Sequence, residues 1–137
     1  MLEPNAVTDV IQVDFPAGLP GFPHAHRFTL APWGPAGSPF LLLEAVDDLE
    51  IAFIVVPPWV FYPEYEFELD AATAERLALH DAGDAVVLAV VTLGEHVHEA
   101  TLNLLGPVVV NRLTHEAAQV VLPTSGYSVR APLAATA

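Results

Sequence analysis

Apolar residues in this chain fall into short runs separated by proline, glycine and acidic residues, a spacing that suits strands better than helices. Ile51 to Val56 is continuous and β-branched, which predicts a strand buried on both faces, and Ala85 to Leu93 reads as a second buried strand. Val7 to Phe15 alternates loosely and ends at Pro16, as a first strand would. His26 to Leu30, Phe40 to Ala45, Val97 to Leu105, Val108 to Leu113 and Ala117 to Leu122 have strand length, with Ser128 to Leu133 an edge piece. The short acidic connection Asp47-Asp48-Leu49-Glu50 would bring Phe40–Ala45 alongside Ile51–Val56 as antiparallel neighbours, and Gly94-Glu95 would do the same for the strands flanking it. Only residues 70–80, DAATAERLALH, read as a helix, with Asp70 as N-cap and Ala74, Leu77 and Ala78 on one side. So short a helix needs tertiary support, and its expected place is over an open end of the β structure. The sum is roughly eight to ten strands joined by short connections: a mainly β, single-domain antiparallel β-barrel or sandwich-like barrel with one short helix.

The densest stretch is residues 51–70. Pro57 and Pro58 lack the N–H groups that a continuing ladder needs, so the strand stops or steps to an edge there. After Pro63 the chain alternates strictly, placing Tyr65, Phe67 and Leu69 on one side and Glu64, Glu66, Glu68 and Asp70 on the other. Like charges at this spacing repel, which favours either full solvation or a basic partner. Trp59, Phe61, Tyr62 and Tyr65 form an aromatic cluster that is either a core plug or, where exposed, a set of binding anchors. Upstream, Gly18-Leu19-Pro20-Gly21-Phe22 specifies a tight turn with at least one residue at positive φ, a hinge between strands or a ligand loop.

Composition narrows the partners. The 137 residues, enough for one domain with a sizeable core, carry 17 acidic side chains against four arginines and no lysine, for a formal net charge of −13. Phosphate binding depends on Lys and Arg, so no direct nucleic-acid or anionic-membrane contact is expected, whereas a basic protein is a natural partner. No run approaches the ~20 apolar residues of a membrane-spanning helix, no export signal is evident at the N-terminus, and cysteine is absent, which together suit the cytosol.

Candidate chemistry centres on the histidines. His24/His26 and His96/His98 are His-x-His pairs, and on a strand each pair would present two imidazoles to one face, where a metal could sit. Gly94-Glu95-His96-Val97-His98-Glu99 resembles the first motif of the cupin barrels, but Glu99 follows His98 directly and points the opposite way in a regular strand. A metal-dependent, cupin-like small-barrel enzyme is thus the alternative to a binding protein. No catalytic residue is assigned: Ser38, Ser125 and Ser128 lie in no nucleophile elbow, the carboxylates share one face, and no glycine-rich phosphate loop precedes a helix. No cofactor is implied.

Four separated motifs carry a resemblance. Gly18-Leu19-Pro20-Gly21-Phe22, Ala52-Phe53-Ile54-Val55-Val56 with Pro58, Phe61-Tyr62-Pro63-Glu64-Tyr65-Glu66-Phe67, and Thr101 to Asn111 with Asn103 and Pro107 occur in an order that closely resembles the flagellar assembly factor FliW family, from about Ile11 to Leu133. The resemblance implies a small cytoplasmic β-barrel-like protein that is not an enzyme. It also implies a chaperone-like partner of flagellin that antagonises the RNA-binding translational regulator CsrA by partner switching. Pro57 departs from the family pattern, in which many members carry Asp or Asn at that position. The expected contact residues are Asp47, Asp48, Glu50, Glu64, Glu66 and Glu68 against a basic surface, with Tyr62 and Tyr65 as apolar anchors. The oligomeric state is open, a monomer being the simplest expectation.

Overall fold

A computed structural model describes residues 10–48, 50–93, 99–122 and 125–133. Among them nine strands form: β1 (Ile11–Asp14), β2 (Arg27–Pro32), β3 (Leu41–Ala45), β4 (Ala52–Val56), β5 (Ala85–Thr92), β6 (Thr101–Leu102), β7 (Val108–Asn111), β8 (Ala117–Gln119) and β9 (Ala131–Pro132). β1 to β5 make an antiparallel meander, with Leu41 opposite Val55 and Val55 opposite Val90. β5 then serves two partners, pairing β7 through Ala85–Leu88 and β6 through Val91 and Thr92. β8 lies against β7, and among the described residues one parallel bridge, from Asp14 to Glu116, nearly closes the sheet into a barrel. At that seam the Asp14 amide donates to the His115 carbonyl at 2.9 Å, and His115 Nδ1 lies 3.1 Å from the Gln12 carbonyl.

β6 and β7 are one strand interrupted by a bulge. Leu102 faces Val91 and Val108 faces Leu88, so six steps on one strand run against three on the other and three residues are squeezed out. Asn103 holds the bulge, its Oδ1 accepting from the amides of Leu105 and Gly106 at 3.1 and 2.8 Å, while Gln119 Nε2 donates to the Gly106 carbonyl.

Two apolar layers result. Phe15, Phe28, Leu30, Leu43, Val55, Leu88 and Val108 fill the barrel, and Val56, Tyr65, Leu77, Val87, Ala89, Leu102 and Val109 form a second layer outside it. β5 and β7 are therefore the strands buried on both faces, Leu88 and Val108 pointing in and Val87 and Val109 pointing out. The expectation that Ile51–Val56 has this character is corrected: Ala52 is exposed and Phe53 and Ile54 are half-buried, because the outer layer covers Val56 fully, reaches Ile54 only in part and leaves Ala52 bare. The edge expected over 128–133 shortens to β9, and the strand expected over 97–105 shortens to β6, with 94–98 outside the described residues.

The Leu19–Phe22 turn has Pro20 and then Gly21 at φ 87° in its centre, the type II pattern, and Gly18 precedes it at φ 71°. It buries Leu19 in the barrel core. After β4, Pro57 precedes a 3₁₀ turn (Pro58–Val60) without any side-chain cap, the cost of having no polar side chain there.

The helix α1 (Ala71–Arg76) is shorter than the expected 70–80; Thr73 is its buried residue, and Leu77 just after it packs in the outer layer rather than in the barrel core. Ala78 is exposed and turns to φ 54°, which ends the helix and takes it off the apolar side assigned to it. Asp70 is the cap: its carboxylate accepts from the Thr73 amide at 3.0 Å and the Thr73 hydroxyl at 2.7 Å, and these bonds hold its carboxyl below the usual carboxylate range. A depressed value stabilises the fold above the unfolded-state pKa and loses that contribution as pH falls through the folded one. Asp70→Ala should therefore lower the thermal midpoint at neutral pH, and the gap from the parent chain should close as pH falls below about 4.

Candidate protein-binding face

Residues 65–70 cross the outer layer without joining a strand, yet their burial alternates as it would in one. Tyr65 is buried, Phe67 and Leu69 are half-buried against the outer layer, and Glu64, Glu66 and Glu68 are exposed. The alternation in the sequence thus reports inward and outward facing, while the strand it suggested is absent because no neighbour lies alongside the backbone. Asp70 drops out of the acidic row because its carboxylate is committed to the helix cap.

Aromatic side chains pin the segment. Trp59 Nε1 donates to the Tyr65 carbonyl at 2.6 Å, and the Tyr127 hydroxyl both donates to the Glu66 carbonyl at 2.8 Å and accepts from its amide at 3.1 Å. The Tyr65 and Tyr127 rings lie 4.6 Å apart, and the Tyr65 hydroxyl donates to the Leu104 carbonyl at 2.8 Å. Burial, and secondarily Tyr127, push the Tyr65 phenol far above its ordinary value, so it stays a donor at any physiological pH. At 4% exposure Tyr65 is a plug, which corrects its expected role as a contact anchor. Tyr62 is half-buried and its hydroxyl donates to the Pro132 carbonyl, tying the segment to β9. Burial raises its phenol pKa as well. Trp59, at 37% exposure, and Val60, at 49%, are the aromatic and apolar groups this region offers to solvent.

Three grooves flank the segment. One of about 660 Å³ lies between it and residues 79–87, with Val87, Val109 and Leu79 along the base. A second, about 500 Å³, separates Glu66 and Glu68 from Val120–Leu122, and a third, about 640 Å³, runs from Tyr62 and Glu64 to Arg130.

The two expected acidic groups do not merge. Asp47, Asp48 and Glu50 sit on the β3–β4 connection, whereas Glu64–Glu68 follow the opposite end of β4 and the 3₁₀ turn after it. Asp47 is paired with Arg27 at 3.4 Å, both well exposed, a contact worth little in water. Asp48 accepts from the Glu50 amide and shapes the hairpin. The expected acidic contact residues thus lie on two separate segments, one at each end of β4.

Most motif residues are scaffold. Gly18, Pro20, Gly21 and Phe22 make the turn, Pro58 opens the 3₁₀ turn, Pro63 leads into the extended segment, and Asn103 and Pro107 belong to the bulge. Asn111, 1% exposed, donates from Nδ2 to the Leu77 carbonyl and accepts from the Leu113 and Thr114 amides. The sequence offered no local sign of Tyr127, which lies 61 positions from the backbone it clamps.

The His24/His26 pair does not present a strand face. His24 lies in the turn after Pro23 and His26 precedes β2 with its Nδ1 3.0 Å from the Phe15 carbonyl, so the pair expected on one strand is split by the turn. Among the described residues no three His, Asp or Glu side chains converge as metal ligands; His96 and His98 lie outside them.

Comparison with known proteins agrees with this architecture. The family model described as FliW protein matches residues 3–133. The flagellar assembly factor FliW of Bacillus subtilis (strain 168) is 40% identical over 119 residues, 87% of this chain and 82% of the relative. That of Moorella thermoacetica is 38% identical over 117 residues, 85% and 73% of the respective chains. A crystal structure of the flagellar assembly factor FliW aligns with a TM-score of 0.83 at 29% identity, covering 89% of this chain and 84% of the other. With a family match across nearly the whole sequence and the same fold in a solved relative, this chain belongs to the FliW family of flagellar assembly factors.

Proposed function

We propose that this chain works in the cytoplasm as one monomeric domain that binds newly made flagellin and, when free of it, the RNA-binding regulator CsrA. Flagellin and CsrA then draw on one pool, so export of flagellin frees the chain to occupy CsrA and lift its repression of translation. No bond is made or broken by its own side chains. The observation that carries the reading is family membership across residues 3–133. The surface chemistry supports it: a net charge of −13 and the exposed Glu64, Glu66 and Glu68 suit a basic protein and disfavour RNA itself. No helix among the described residues is long and apolar enough to cross a membrane.

The test is capture of purified flagellin and CsrA by the immobilised chain at low and at high salt. Glu64→Lys with Glu66→Lys should weaken CsrA binding by about tenfold or more in dilute buffer and flatten its salt dependence. Unchanged affinity at low salt would remove these carboxylates from the interface, and failure to capture either protein would refute the function itself.

A further inference from the structure

We propose that the backbone of Phe67–Leu69 is an open strand edge onto which a partner adds an extended basic segment. The proposal rests on the protein-binding role above and names the chemistry of the occupant.

In an extended chain, the N–H and C=O of one residue point to one side and those of the next to the other. Side chains already stand in for ladder partners at the upstream end of the segment: Tyr127 fills both backbone positions of Glu66 on one side, and Trp59 fills the Tyr65 carbonyl on the other. Phe67 and Leu69 follow on the Trp59 side. Neither of their amides or carbonyls hydrogen-bonds any described residue. Four backbone groups at strand spacing are thus available, and the groove of about 660 Å³ lies beside them with Val87, Val109 and Leu79 as its apolar floor. Its volume is in the range of sites that hold ligands.

The side-chain pattern selects the occupant. In an antiparallel pair, residues directly opposite share a face, so positions facing Phe67 and Leu69 point inward to the apolar floor. The intervening positions come up beside Glu66 and Glu68. Among the described residues the one ion pair is Arg27–Asp47, which leaves the charges of Glu64, Glu66 and Glu68 uncompensated. A segment alternating apolar residues with Lys or Arg complements both faces at once. This is strand addition to an exposed edge, with main-chain bonds supplying affinity and alternate side chains supplying specificity.

The probe is a blocked nonapeptide alternating valine and lysine, titrated into the full-length, isotope-labelled chain. Binding should slow exchange of the Phe67 and Leu69 amides by about tenfold or more, since each joins a ladder bond. Two further peptides carry N-methyl groups on the valines or on the lysines. Only valine methylation should weaken binding, by about tenfold or more, because the inward positions are the ones that pair. Ala74→Arg, which sets a cation in the groove from the half-exposed side of α1, should weaken the parent peptide too. Equal effects of the two methylated peptides, binding without protection at Phe67 and Leu69, or no binding would each overturn the proposal. Should flagellin and CsrA still be captured in that case, the strand edge fails while the assembly-factor reading stands.

Discussion

Gly18→Ala is expected to destabilise the fold by about 3–5 kcal/mol, lowering the thermal midpoint by roughly 10–15 °C for a chain of this size. Two effects add. The residue sits at φ 71°, where a side chain is strained, and a Cβ there would stand 2.5 Å from the Pro23 carbonyl oxygen and 2.8 Å from its Cα. Backbone cannot swing aside as a flexible side chain can, so the turn must shift and Leu19 must leave its place in the barrel core. Gly21 supplies the control. It has a φ of 87° but no atom within 4 Å of its would-be Cβ, so Gly21→Ala should show the conformational term alone, about 1 kcal/mol. Calorimetry of the two variants decides the matter, and equal losses would mean that the close approach at Pro23 is not what fixes Gly18.

Asn111→Ala is expected to cost about 3–4 kcal/mol, because it leaves buried backbone groups without partners rather than merely deleting contacts. The side chain is 1% exposed and bonds the Leu77 carbonyl at 2.7 Å, the Leu113 amide at 2.8 Å and the Thr114 amide at 3.1 Å. It joins the end of α1 to the end of β7. Asn111→Asp keeps the acceptor but loses the donor and sets a charge in a buried site, so it should be at least as damaging as Ala. Urea unfolding should show a lower midpoint at unchanged slope, with faster exchange of the Leu113 and Thr114 amides. An Asp variant as stable as the parent would refute this account.

Much of the fold was legible in the sequence because strands are local objects. Pro57 and Pro58 end β4, the acidic connection after Ala45 closes a hairpin, and the expected positive φ in the Gly18–Phe22 stretch is found at Gly18 and Gly21. What failed depended on distant partners. Double burial belongs to β5 and β7 because both apolar layers pack against them, which no window around Ile51–Val56 reveals. The helix stops early as Ala78 turns left-handed where Asn111 grips the Leu77 and Ala78 carbonyls, and Asn111 is 34 residues from Leu77.

The candidate site was legible in half. Period-two alternation placed Glu64, Glu66 and Glu68 outward correctly, since the outer layer captures Tyr65, Phe67 and Leu69. It could not show that no strand lies alongside, that Tyr65 would be sealed by Tyr127, or that β4 holds Asp47 and Glu64 apart.

Among the described residues the bridge from Asp14 to Glu116, with the His115–Gln12 contact beside it, makes the barrel a hoop with a light clasp. Every other junction on the ring is a ladder of at least three residue pairs, so thermal fluctuations should spring the hoop there before anywhere else. The hoop should then unroll from its first strand, exposing Phe15 while the sheet around β5 stays intact. Loss of the ring is therefore expected to precede loss of the fold.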